Sequence, residues 1–226
     1  MKKYIILTGI ALILAVSVAA ICSKENPGSK DKTSAGTNVT TTIKLPPPET
    51  TGGMPLMEAL SKRQSSRNFS PKKLDEQTLS NLMWAAFGIN RKESGKRTAP
   101  TANDTRAVEL YAVMESGAYK YNADDHSLEQ VNGKDIRTMA GIQEFVGTAP
   151  LNLVIVADYS KFKGGKNEMY AGAHAGFIGE NVYLYCTSAG LGTVIRAYVD
   201  KGPLAKELNL GENKEIILAQ TIGYTN

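Results

Sequence analysis

Residues 62–69 read KRQSSRNF, which sets Arg63, Ser65 and Arg67 in an R-x-S-x-R pattern with Gln64 inside it. Two guanidinium forks and a hydroxyl at that spacing can converge on a phosphate monoester, since each fork offers paired N–H donors in fixed geometry. The same residues also suit a solvated helix end whose cations complement the dipole, and the motif alone leaves both readings open. Further on, Pro100, Thr101 and Ala102, with Asp104 just beyond, form a loop ahead of an apolar run, and Gly190-Leu191-Gly192 leads into another. Glycines there let a flat ligand approach the backbone, with the amides that follow facing its edge.

Other chemistry-bearing residues are less specific. His174, in AGAHAG, could donate a proton, but a histidine packed among small helix residues also serves as a structural one. Cys186 falls on an apolar helical face, where a thiol behaves as a buried hydrophobe. Tyr119 and Tyr121 alternate along a strand, as pleated packing requires. Gly164-Gly165 suits a loop, yet no Lys-Ser/Thr pair follows it, so it is no phosphate-binding P-loop. Two isolated histidines offer no metal-ligand spacing, and two cysteines exclude a disulfide framework.

These residues need elements to position them. Pro55 opens a helix with Leu56, Met57 and Leu60 as its stripe, and Leu79, Leu82, Met83, Ala86 and Phe87 recur at helical spacing before a stop at Gly88. Residues 108–114 and 118–131 alternate as strand, strand, turn and strand, with the turn at Asp124-Asp125. A helix over 135–147, a buried strand over 151–158 and a long helix over 169–190 come next. Strands at 193–199 and 215–224 then flank a short helix at 203–210. That mixture predicts an α+β layered domain.

The chain of 226 residues, 42% of them apolar, supports one compact core, and a dispersed net charge of +4 without an aromatic-basic signature argues against nucleic-acid binding. Residues 1–22 carry Lys2 and Lys3, an apolar run and small residues at Ser17, Ala19 and Ala20, the pattern of a signal peptide. Cys22 can become a lipidated N-terminus, or the chain can be cleaved near Ala20. Either way the expectation is export to the periplasm or cell envelope, with membrane contact only through that lipid. Residues 23–53, rich in Lys, Thr, Ser, Gly and Pro, are expected to form a disordered tether, and 54–226 the folded domain.

R-x-S-x-R, the W-A-A-x-G-I-N-R segment at 84–91, the Pro-Thr-Ala loop, the single apolar strand after TAP, the E-N-x-x-L segment at 180–184, G-L-G and the closing Gly223-Tyr224 occur in an order that resembles the nitroreductase family of FMN-dependent oxidoreductases. The likeness runs from Met54 to Tyr224 and is closest to single-domain members grouped with dehydrogenases that oxidise azoline rings in peptides. The resemblance implies a central, mainly antiparallel sheet flanked by helices in a homodimer. It also implies ping-pong electron transfer between a small-molecule donor and acceptor, with flavin N5 carrying the chemistry. Arg63 and Ser65 would hold the FMN phosphate and ribityl chain, with Gln64 between them, and Arg67 would lie at the pyrimidine end. The loop from Pro100 through Thr101 and Ala102 to Asp104 would reach the flavin of the other subunit, and backbone at Ile195, Arg196 and Ala197 would face N5. The chain departs from the family pattern in three ways: Asp104 stands where Asn is usual, Glu180 where Gln is usual, and no basic residues follow Tyr224. An envelope protein that binds flavin without turnover fits the same residues.

Overall fold

The computed structural model describes residues 41–226. The expected signal peptide over 1–22, Cys22 included, and the tether up to residue 40 lie outside the described residues. Among those described, no helix is long and apolar enough to cross a membrane.

In chain order the elements are β1 (Thr42–Lys44), α1 (Leu56–Lys62), α2 (Glu76–Phe87), β2 (Ile89–Arg91), β3 (Lys96–Arg97), β4 (Val108–Met114), β5 (Gly117–Asn122), β6 (Ser127–Asn132), α3 (Phe145–Thr148), β7 (Leu151–Asp158), α4 (Glu168–Ser188), β8 (Gly192–Arg196), α5 (Lys201–Glu207) and β9 (Lys214–Gly223). Seven strands form one sheet in the order β1-β6-β5-β4-β7-β9-β8. Every ladder in it is antiparallel. Strands β2 and β3 form a separate hairpin.

The sheet is buried on both faces, which is why β7 reads LNLVIVAD with no polar alternation and every residue inaccessible. On one face Leu110, Leu153 and Ile155 meet Leu82 and Met83 of α2 and Ile178 and Val182 of α4. On the other, Tyr111, Val154, Val156 and Ile216 pack under Leu204 and Leu208 at α5. Helix α2 starts where the Asp75 carboxylate accepts the Thr78 amide at 2.7 Å, and α4 starts where the Asn167 side chain accepts the Tyr170 amide at 3.0 Å.

Four sequence expectations are corrected. The tether does not extend to Gly53: β1 pairs with β6, placing Ile43 opposite Leu128, and Leu45 is buried in the main core. Two apolar residues suffice because prolines follow whose carbonyls accept side-chain donors, Pro46 from Ser80 and Pro47 from Gln77. The domain therefore begins near Thr42.

The helix expected over 135–147 is a 3-10 turn at Arg137–Ala140 followed by the four-residue α3. Gly141 between them is extended, and a Cβ there would collide with the Arg196 guanidinium. The strand expected over 193–199 ends at Arg196.

Finally, the stripe on α1 does not face the core. Leu56, Met57 and Leu60 are 62%, 76% and 45% exposed, and only Ala59 of that helix is buried.

Candidate functional site

The R-x-S-x-R segment is the strap that leaves α1. The Arg63 amide closes the helix on the Ala59 carbonyl at 2.9 Å, after which the chain turns extended and lies across β8. There Ser66 donates its amide hydrogen to the Thr193 carbonyl at 2.9 Å, and Phe69 bridges to Thr225. Gly192 makes this crossing possible, because a Cβ there would stand 2.8 Å from the Ser66 Cβ. The absent side chain thus admits the strap.

Tyr183 of α4 ties the strap to the strand. Its hydroxyl lies 2.8 Å from Ser65 Oγ and accepts the Ile195 amide hydrogen at 3.1 Å, while the Arg63 guanidinium stacks over its ring at 5.1 Å. Sequence reasoning missed this residue, since its only signal is a phenol among other apolar residues of a buried helix. Neither Arg63 nor Arg67 forms an ion pair with any carboxylate among the described residues. Arg67 and Gln64 are exposed and Arg63 is half-buried. The Arg63 guanidinium and the pre-positioned Ser65 hydroxyl thus stand together at Tyr183, a donor pair that suits a phosphate dianion.

The expected edge at residues 195–197 is only partly open. Ile195 already has its amide engaged by Tyr183, and Ala197 is exposed. The Arg196 side chain is buried, bonding the Ala140 carbonyl at 2.8 Å, Asn152 Oδ1 at 3.0 Å and Thr221 Oγ1 at 2.6 Å. No carboxylate neutralises it, and burial pulls its pKa down to about 10.

The loop at 100–104 belongs to a different place on the same subunit. Ala102 donates its amide hydrogen to His174 Nε2 at 2.8 Å, and the imidazole is stacked on Phe162 at 5.8 Å and on Tyr170 at 6.2 Å. His174 is buried and its pKa is lowered by desolvation, which identifies it as a neutral acceptor holding the loop. Along α4, positions 174 and 183 stand half a turn apart in direction and about 13 Å apart in height. The loop and the strap are therefore not brought together within one subunit.

Asn103, Asp104 and Arg106 all have left-handed φ, at 52°, 52° and 48°. Three such residues in a row of four concentrate backbone strain in this loop. The Asp104 carboxylate is paired with Arg106, Nη2 to Oδ2 at 2.8 Å and Nε to Oδ1 at 3.2 Å, which lowers its pKa. The departure at position 104 thus brings its own countercharge.

Cys186 is buried, and burial pushes its thiol pKa up, as a packing role requires. Among the described residues no group of three His, Cys, Asp or Glu side chains could hold a metal ion.

Known proteins share sequence and fold with this chain. The model of the nitroreductase family matches residues 60–224. MJ1384 of Methanocaldococcus jannaschii, named as a nitroreductase, is 34% identical over 159 residues, which cover 64% of this chain and 80% of that one. A nitroreductase structure from Ralstonia eutropha superposes with a TM-score of 0.78 at 42% identity, covering 82% of this chain and 90% of the other. An FMN-dependent nitroreductase from Clostridium difficile shares the fold at a TM-score of 0.55 and 20% identity, over 75% and 87% of the two chains. With the sheet, the strap across β8 and the strained loop all in place along the matched span, this chain belongs to the nitroreductase family.

Proposed function

We propose that this protein is an FMN-dependent oxidoreductase that takes two electrons from a small-molecule donor and passes them to an acceptor by a ping-pong route. The observation that carries the reading is the strap: Arg63 and Arg67 are without ion-pair partners among the described residues, and Ser65 between them is held by Tyr183. A fold relative bears the name FMN-dependent nitroreductase, which agrees with a flavin phosphate as the anion. FMN, when bound, supplies two-electron exchange at its N5.

The chain's own residues hold and tune it. Arg63 and Ser65 bind the phosphate and ribityl end, and the Tyr183 hydroxyl orients Ser65 and the Ile195 amide together. Arg67, exposed on the same strap, would supply a cation where reduction leaves negative charge, an interaction stronger in the reduced state than in the oxidised one. Asp104, neutralised by Arg106, does not oppose that charge.

Assembly as a homodimer completes the site, since the loop at 100–104 and the strap lie on opposite faces of α4 in one subunit. The exposed apolar residues Leu56, Met57 and Leu60 of α1 and Met169 and Phe177 of α4 supply a surface for the partner copy. Export to the cell envelope, with an electron donor other than a cytoplasmic coenzyme, belongs to the same reading.

FMN titration of the purified protein tests it. Stoichiometric binding is expected, with Arg63→Ala losing about 1.5–3 kcal/mol of affinity from a charge-assisted contact. Equal affinity in the two proteins would show that the strap does not hold the phosphate.

A further inference from the structure

A cleft of about 980 Å³ opens away from the strap, between the segment that follows β1 and the junction of α2 with β2. Its volume lies at the upper end of the range for small-molecule sites, which are typically apolar bodies with a few placed polar groups. Leu45, Pro47 and Pro48 form one wall, and Trp84 with Ile89 another. None of Arg63, Ser65, Arg67 or the residues at 100–104 lines it.

The walls are fixed by hydrogen bonds that leave little for a ligand to take. Ser80 Oγ donates to the Pro46 carbonyl at 2.5 Å and lies 2.7 Å from His126 Nε2, so the imidazole supplies that second hydrogen. His126 Nδ1 is then the acceptor for Tyr121 Oη at 2.8 Å, and both ring nitrogens are occupied. The Leu45 amide binds the His126 carbonyl at 3.1 Å, and Gln77 reaches the Pro47 carbonyl at 3.0 Å. Trp84 spends its single donor on the Ile89 carbonyl at 3.0 Å, so its indole offers only the ring.

Two carboxylates and one ammonium line the cleft. Asp125 is committed to Lys44 at 2.6 Å and to Ser127 at 2.6 Å. The Asp124 side chain is 79% exposed, with Arg97 at 3.6 Å and Arg106 farther off, and it borders the adjacent cavity that those two arginines line as well as this cleft. Arg97 lines an adjacent cavity and not this one, and Lys92 at the rim is the one cation among the lining residues.

We propose that the cleft beneath residues 45–50 is a binding site for an arylalkylamine, its ring against Trp84 and the proline wall and its ammonium paired with the Asp124 carboxylate. An indole whose donor is already used attracts a cation-bearing ring through its π face, and two rigid prolines oppose it at low entropic cost. The site is independent of the flavin reading, because no residue is shared between them.

The chain contains a single tryptophan, Trp84, so its emission reports on this cleft directly. The full chain is titrated with phenethylamine and, separately, with 3-phenylpropanoate, which has a similar ring and chain but the opposite charge. Saturable change of Trp84 emission with the amine is expected, with the carboxylate at least about tenfold weaker. Asp124→Asn, at a position too exposed to affect folding, should weaken amine binding about threefold, the size of an exposed ion pair. Failure of any arm overturns the proposal: no saturable change with the amine, equal binding of the carboxylate, or unchanged amine affinity in Asp124→Asn.

Discussion

Ala102 gives its amide hydrogen to Nε2 of His174, so the strained loop at 100–104 hangs on a histidine that must stay neutral. Its pKa is lowered from 6.5 by burial, which makes the protonated form the costly one in the fold. For a depressed pKa the contribution to stability is complete above 6.5 and is lost as pH falls from there toward the folded value. Denaturant midpoints measured between neutral pH and pH 5 should therefore decline. His174→Gln should flatten part of that decline, and proteolysis near residue 103 should become faster in the variant at neutral pH. A midpoint profile identical in both proteins would remove His174 from this role.

Tyr183→Phe deletes one hydroxyl and strands two partners. The Ile195 amide loses its acceptor, costing about 1–3 kcal/mol if no water replaces it, and Ser65 loses its orienting contact. FMN affinity should fall with stability, and Tyr183→Phe combined with Ser65→Ala should cost less affinity than the two single losses added together. Strict additivity in that double-mutant cycle would show that the hydroxyls act independently.

Gly141→Ala should be among the most damaging single-methyl additions in the protein. The new Cβ would occupy the space of a buried guanidinium bonded to Ala140, Asn152 and Thr221. Overpacking of this kind costs about 1–3 kcal/mol, and displacing the cation adds unsatisfied acceptors. Thermal unfolding is the measurement, and a melting temperature within error of the parent would contradict the socket described here. Gly172→Ala on α4, where nothing stands within 4 Å of the added atom, serves as the comparison that adds a methyl without a clash and should raise stability slightly.

Phe177→Asp addresses assembly. A carboxylate placed at 47% exposure should cost an isolated subunit little, but within a self-complementary apolar interface it should weaken association at least about thirtyfold. Light scattering should then show smaller species at micromolar concentration, together with loss of bound flavin. A variant of unchanged size would place the contact on another surface.

The parts of the site legible in the sequence were those written in local residue types. Arg63, Ser65 and Arg67 stand together in the chain on the extended strap, with Arg63 and Ser65 meeting at Tyr183, and β7 and α4 announce themselves by unbroken apolar or small-residue runs. What was not legible depends on residues distant in sequence. Nothing near Gly141 marks it as the seat of Arg196, and Gly192 is small because Ser66 crosses it. Strand β1 escaped notice because two apolar residues in a Thr- and Pro-rich stretch give too short a period-2 signal, and their burial is decided by Leu128 and Ser80, far along the chain. The exposed stripe of α1 shows the converse: helical spacing of Leu56, Met57 and Leu60 locates a face without saying what will cover it.

The three-residue β1 also settles how the protein would respond to being pulled from its N-terminal side. Tension arriving at Thr41 meets the short ladder to β6 and the anchors of Pro46 and Pro47 to α2 first, while β7 and the strap lie outside the line of force. Because so few bonds are in series there, this segment should peel off and reseat as a mechanical fuse, sparing the fold beyond Met54 from forces that would otherwise shear the sheet.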